Sequence, residues 1–384
     1  MRRAAVITCV LLSVLYAGRA PQAIPDTGQS VLRVLVIDNR PRISLVIKGP
    51  YKVYAPNSER VVMEGPRLRA GVTGSRGNIL IGAKEIMLPA VKVKAYKDAD
   101  IYVDGKRFRG NVHIALKDDL SIMVINEIGV EDYLYGVLYH EVSHKWPMEV
   151  LKAQAIAART FALYQKSQNR LQPYDLRNDI YSQVYGGRAS EKWATTRAVD
   201  LTKDKVLAYK GKIFPAYYHA TCAGYTEDAS VLWNIDLPPL KGGPCLYCRN
   251  SPHYEWTTDI PLWELKNRLS AGGYNIGEIS SVKVLSKNGS GRVEQVEIKD
   301  EADTSVMLKG KDFRQMLGPN ELRSTKFDLS LKWGTLVFKG SGWGHGVGMC
   351  QWGAFGMSRK GKKVEEILSY YYPGAEITTT DKLR

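Results

Sequence analysis

Residues 126–163 read NEIGVEDYLYGVLYHEVSHKWPMEVLKAQAIAARTFAL, and the rest of the chain is best interpreted outward from them. Before Asn126 the pattern is short apolar or alternating runs; here it turns helical. Val130 to Leu138 reads as a short amphipathic helix. Pro147 opens a longer one, since proline is preorganised for the first helical position and its missing N–H costs nothing there. Met148, Leu151, Ala155, Ala158 and Ala162 recur at steps of three and four. Lys152, Gln154 and Gln165 fall off that stripe. Its small residues permit close packing against a neighbour, and Asn169 is the expected end, ahead of Pro173.

On the N-terminal side, residues 30–125 read as a β-rich region. Val31 to Ile37, Ile101 to Val103, Val112 to Leu116 and Leu120 to Ile125 are strand candidates. Pro56-Asn57 and Asp104-Gly105 supply turns. On the C-terminal side the pattern is again mostly β. Val206 to Tyr209, Ile213 to His219, Ile279 to Leu285, Val293 to Ile298 and Thr335 to Lys339 are expected strands. Helices are expected at Ile260 to Ser270, opened by Pro261, at Lys309 to Leu317 and at Val364 to Tyr370. The fold class is therefore α+β, with an N-terminal β-rich region joined to a mixed domain, 126–378, around the Pro-initiated helix.

The first 23 residues have the form of a secretory signal. Arg2 and Arg3 precede an apolar run from Ala4 to Ala17, and small residues follow up to Ala23. The run is short for a membrane span. Cys9 lies inside it and would leave with it. The formal charge is +15. Loss of the signal removes Arg2, Arg3 and Arg19 and leaves the protein strongly basic. A basic exported protein meets anionic wall polymers or lipid head groups. Export and the lack of a zinc-finger or RNA-binding signature argue against nucleic acid. Membrane association is expected only through the N-terminal segment.

Glu141 admits two chemical readings. His140-Glu141-x-x-His144 matches the zincin pattern, in which two histidines on one helical face bind zinc. That pattern needs an unbroken helix, and Pro147 disfavours helical geometry at Trp146. The other reading makes Glu141 a single general acid at a helix junction. Tyr139, Val142 and Trp146 would partly desolvate it and raise its pKa, as a proton donor near neutral pH requires.

Three blocks resemble the SpoIID/LytB family. The first is Val124 through Leu163. The second is Tyr218-His219-Ala220-Thr221-Cys222-Ala223-Gly224-Tyr225-Thr226. The third is Gly342 through Ala354, reading Gly-Trp-Gly-His-Gly-Val-Gly-Met-Cys-Gln-Trp-Gly-Ala. The resemblance spans most of the chain in the right order. It implies a sporulation-related peptidoglycan lytic transglycosylase acting on glycan strands stripped of stem peptides, with the catalytic Glu at Glu141. The family's helix arginine falls on Arg159, which could face the same cleft. LytB-type relatives are described instead as enhancers of a cell-wall amidase, and this is the alternative. The expected partners are thus peptidoglycan strands and a wall amidase. No cofactor is required for the chemistry.

Other residues complete the expectation. His345 sits among glycines that allow close substrate approach. Trp343 could stack on sugar faces, and Gln351 joins His345 in lining a cleft. Tyr254 and Trp256 are further substrate-contact candidates. His219-x-x-Cys222 and Cys245-x-x-Cys248 have the spacing of a structural zinc site. Export equally favours a disulfide, with Cys222 to Cys245 as the bridge. Cys350 stands where the family often has Ser and reads as a small buried residue.

Overall fold

The computed structural model describes residues 31–96, 98–179 and 182–383. The N-terminal signal expected from the sequence lies outside them. The architecture is α+β, as the sequence pattern indicates. Two compact units emerge. The smaller holds Arg33–Glu127 with Leu171–Tyr174; the larger holds Ile128–Arg170 and the chain from Asp175 onward.

The smaller unit is built from two antiparallel sheets. One follows the order Val31–Arg40, Ile122–Gly129, Asn111–Leu116, Ala90–Ala95, Tyr51–Tyr54, Val61–Gly65. The other follows Lys106–Phe108, Asp100–Val103, Arg42–Lys48, Leu68–Ser75, Asn78–Ile81, Lys84–Ile86. Alternation explains their faces: along Arg42–Lys48, Ile43, Leu45 and Ile47 are buried while Arg42, Ser44 and Lys48 are exposed. Asp104 and Gly105 both take positive φ, 45° and 78°, in the tight turn that pairs Val103 with Lys106. On Ile122–Gly129 of the first sheet, Glu127 is buried. It accepts from His113 Nε2 and Lys92 Nζ, both at 2.8 Å, and from Asn111 Nδ2 at 2.7 Å.

The larger unit contains α1 (Val130–Glu141), α2 (Met148–Gln168), α3 (Trp193–Leu201), α4 (Ala229–Trp233), α5 (Leu262–Ala271), α6 (Gly310–Leu317), α7 (Gln351–Arg359) and α8 (Val364–Tyr371). Pro147 is the N-cap of α2, one residue ahead of the first helical position expected of it, and Asn169 is the C-cap, where the sequence pattern puts the end. The helix has no polar face over its first four turns, however. Gln154 and Thr160 are as buried as Ala155 and Ala158, because α1 and α3 pack on α2 from one side and α7 and α8 from another. A stripe read from periodicity underestimates burial when a helix is wrapped by several neighbours.

Two further differences have local causes. Ile213 to His219 is not one strand; only Lys212–Ile213 and Tyr218–His219 pair, and Pro215 lies between them without a backbone donor. Ile260 belongs to the strand Glu255–Pro261, and α5 starts one residue after Pro261. This strand, α5, α6 and the strands between Ile279 and Ser341 enclose their own core around Phe313, Phe327 and Phe338.

Candidate functional site

Helix α1 ends at Glu141. Val142 is extended, with φ −138° and ψ 151°, so the chain leaves the helix before His144. The two histidines of the zincin pattern therefore do not share a helical face. His140 Nε2 is instead engaged by Ser190 Oγ at 2.6 Å. The break places the Glu141 side chain at a cleft of about 930 Å³. Residues 139–143 and Trp146, the Tyr217–Ala220 segment, the Gly342 motif and α6 line it.

Burial pushes the Glu141 carboxyl up to about 7, against partial opposition from hydrogen bonds of the Val184 N–H and the Tyr218 hydroxyl. Asp179 and Asp312 also line the cleft. Each has a cation beside it: Arg177 at 3.0 Å from Asp179, and Lys311 at 3.0 Å from Asp312. Glu141 has none among the described residues. It is thus the cleft carboxyl suited to hold a proton near neutral pH.

The Gly342 motif is shaped by crowding. At Gly348 (φ +70°) a Cβ would lie 2.0 Å from the Tyr217 carbonyl oxygen, and at Gly344 (φ +110°) 2.7 Å from the His219 Cβ. Only glycine fits both the conformation and the space. The motif brings His345, Trp343 and Gln351 to the cleft. His345 is fixed rather than free. Its Nδ1 accepts from the Val347 N–H at 3.1 Å, and its ring also bonds the Tyr218 backbone. Burial, reinforced by the Arg314 charge, pushes its pKa down to about 3, so it is neutral across the physiological range. It offers a ring surface beside Trp233 and Tyr217, with centroids 5.1 and 5.8 Å away.

Arg159 lies elsewhere. It is fully buried and its donors are spent on Glu131 at 2.6 and 2.8 Å, and on the Lys205 carbonyl at 2.9 Å. It ties α2 to α1 and does not line the cleft. Tyr254 and Trp256 are not cleft residues either. Trp256 is buried, with its indole N–H donated to the Gly342 carbonyl at 2.8 Å. Tyr254 packs beside the cysteines. Both face inward because they flank a strand and turn at the edge of two cores.

The four thiols that come together are Cys222, Cys245, Cys248 and Cys350, all buried, free, and within 4.8 Å of one another. His219 is replaced in this group by Cys350. The His219 Nδ1–H points at the Val347 carbonyl, 3.1 Å away, whereas the pairing of Tyr218–His219 with Met349–Cys350 delivers the Cys350 sulfur to the cluster. That sulfur accepts backbone N–H groups of Cys222 and Gly353, each at 3.3 Å. Sulfurs around one tetrahedral zinc stand about 3.8 Å apart; Cys222 and Cys248 are at 3.6 Å. Four soft donors with N–H support are compatible with a structural metal site.

Sequence reading also gave no role to Gln183, Val184 or Tyr218. Tyr218 stood in a quoted block. Gln183 and Val184 lie in an aperiodic loop that carries no signal of its contacts.

Fold and site together define a mixed α+β protein with one cation-free carboxyl group in an aromatic-rich cleft. The chain belongs to the SpoIID family: the pattern described as stage II sporulation protein matches residues 118–209, and a domain of unknown function matches residues 247–348. It is 33% identical to stage II sporulation protein D of Bacillus subtilis over 276 residues, covering 67% of this chain and 76% of that protein. An uncharacterized protein of Brachyspira hyodysenteriae is 34% identical over 365 residues, 93% of this chain and 95% of that protein. The amidase enhancer of Bacillus subtilis is 28% identical over 340 residues, but the chain spans only 46% of its length.

Proposed function

We propose that the protein is a peptidoglycan lytic transglycosylase of the cell envelope that cleaves MurNAc–GlcNAc bonds of peptide-stripped glycan strands. The observation that carries this reading is Glu141: a carboxyl raised to about 7 in an aromatic-lined cleft. Protonated Glu141 donates to the glycosidic oxygen as the bond to the anomeric carbon breaks. The resulting carboxylate then takes the proton of the sugar's own C6 hydroxyl, whose oxygen closes on the anomeric carbon. The product is a 1,6-anhydro end, and Glu141 is again protonated. One carboxyl suffices, since no water is activated. His345, Gln351 and Trp343 line the sugar path. Residues 1–23 act as an export signal, 30–125 form an accessory β region, and 126–378 form the catalytic domain. The basic surface attracts the lactyl carboxylates of stripped strands.

Zinc is the metal best matched to the four thiols; it would serve folding rather than chemistry. The likeness to an amidase enhancer supports a second reading, in which the protein binds wall glycan and stimulates an amidase without cleaving. Mass spectrometry of amidase-treated peptidoglycan separates the two. Anhydro ends formed by the wild type and lost by at least a hundredfold in Glu141→Gln are expected. Binding and amidase stimulation with no new ends, in both proteins, would instead support the enhancer.

A further inference from the structure

The hydrogen bonds behind Glu141 run in one direction. Gln183 Nε2 lies 3.3 Å from the Ala158 carbonyl, and only the NH₂ end of the amide can sit beside a carbonyl oxygen. That fixes the amide. Its Oε1 accepts from the Tyr133 hydroxyl at 3.1 Å, and its Nε2 also donates to the Tyr218 hydroxyl oxygen at 2.9 Å. With that oxygen occupied as an acceptor, the Tyr218 proton is free to go to Glu141, which lines the same cleft and whose pKa the Tyr218 hydroxyl lowers by hydrogen bonding. Burial and the nearby Glu141 charge keep the Tyr218 hydroxyl protonated and therefore a donor. Tyr133 and Gln183 are themselves buried, while Tyr218 lines the cleft.

We propose that Tyr218 is the positioning residue of the site: its hydroxyl, oriented by Tyr133 through Gln183, donates to the Glu141 carboxyl and holds it toward the cleft in both protonation states. The Val184 N–H is the second donor to that carboxyl. Two donors from behind leave the acid proton on the side that faces the cleft. They also favour the carboxylate once the proton has left, which is the state that must then act as a base. The chain links α1, α2 and the loop at Gln183, so the acid is held by three segments rather than by its own rotamer. The proposal rests on Glu141 being the acid of the site, but not on which bond that acid cleaves.

The test is an infrared difference titration of the Glu141 carboxyl in the full-length protein, with Glu141→Gln assigning the band. Tyr218→Phe keeps the ring and removes one donor to the carboxylate. The midpoint should rise by about one pH unit, a tenfold change in proton affinity. Tyr133→Phe should move it the same way by less. An unmoved midpoint in a folded Tyr218→Phe protein would overturn the proposal. Should that variant not fold, Gln183→Leu, which leaves both hydroxyls in place but unoriented, decides on the same readout. This titration needs no glycan, so a protein that fails to make anhydro ends can still show the shift. Where cleavage is observed, Tyr218→Phe should lower kcat at least tenfold with KM unchanged and move the alkaline limb of the pH profile upward. A raised KM with an unmoved profile would make Tyr218 an ordinary substrate contact.

Discussion

Glu141, half-buried at the cleft, and Glu127, buried in the smaller unit, have opposite pH behaviour. Burial raises Glu141 to about 7, so its charged form is disfavoured in the folded state. The cost of folding around it grows as pH rises from the ordinary carboxylate value through 7, reaching up to about 3 kcal/mol. Glu141→Gln escapes that cost: its melting temperature should exceed the wild type's at pH 8 and match it near pH 4. For Glu127 burial also pushes upward, but the bonds from His113 and Lys92 outweigh it and bring the carboxyl down to about 2. Its contribution is present above the ordinary carboxylate value and disappears as pH falls toward 2. Glu127→Gln should therefore destabilise by about 2–4 kcal/mol at pH 7 and by far less near pH 2, measured by urea unfolding at both. The aromatic surroundings of Glu141 were legible in the sequence, ahead of Trp146-Pro147, while its catalytic role was implied only by the family resemblance. Its donors were not, because Val184 and Tyr218 reach it from distant segments.

At the scale of elements, α2 is the centre of the larger unit and Arg159 is its tie to α1. The guanidinium is fully buried and its carboxylate partner partly so, and removing the carboxylate strands the charge. Arg159→Met should cost about 3–5 kcal/mol, seen as a lower melting temperature, while the folded fraction keeps the wild-type pH profile. A profile shifted without loss of stability would return Arg159 to the site. The helix bounds were readable because Pro147 and Asn169 are local signals. The destination of Arg159 was not: its place beside Ala158 on the helical wheel gives an azimuth, but only packing decides which neighbour occupies it. The glycine motif behaves similarly. Gly348→Ala adds a methyl 2.0 Å from the Tyr217 oxygen at positive φ, and should leave little soluble, folded protein.

For the whole molecule, charge and the thiol cluster make separable predictions. The strongly basic protein, +15 over the full sequence and three fewer without Arg2, Arg3 and Arg19, should bind stripped glycan less tightly as salt rises, with affinity falling at least tenfold between 50 and 500 mM NaCl in a pull-down with Glu141→Gln. Metal analysis of the purified protein should give about one zinc per chain, and Cys350→Ser should lose most of it along with several degrees of melting temperature. Among the described residues no helix is long and apolar enough to cross a membrane.

The sequence by itself determined what depends on neighbours along the chain. It set the α+β order, the Pro-initiated helix, the break that frees Glu141, and the three blocks that mark the family. Each follows from periodicity, turn chemistry or a contiguous motif. Tertiary structure alone decided which side chains meet across long separations. It exchanged His219 for Cys350 at the thiols because a two-residue parallel pairing joins positions 128 or more apart. It buried Trp256, turned Arg159 inward, and placed Tyr218 beside Glu141. A spacing rule constrains only residues close in sequence, whereas these contacts are set by the packing of segments whose register no local pattern encodes.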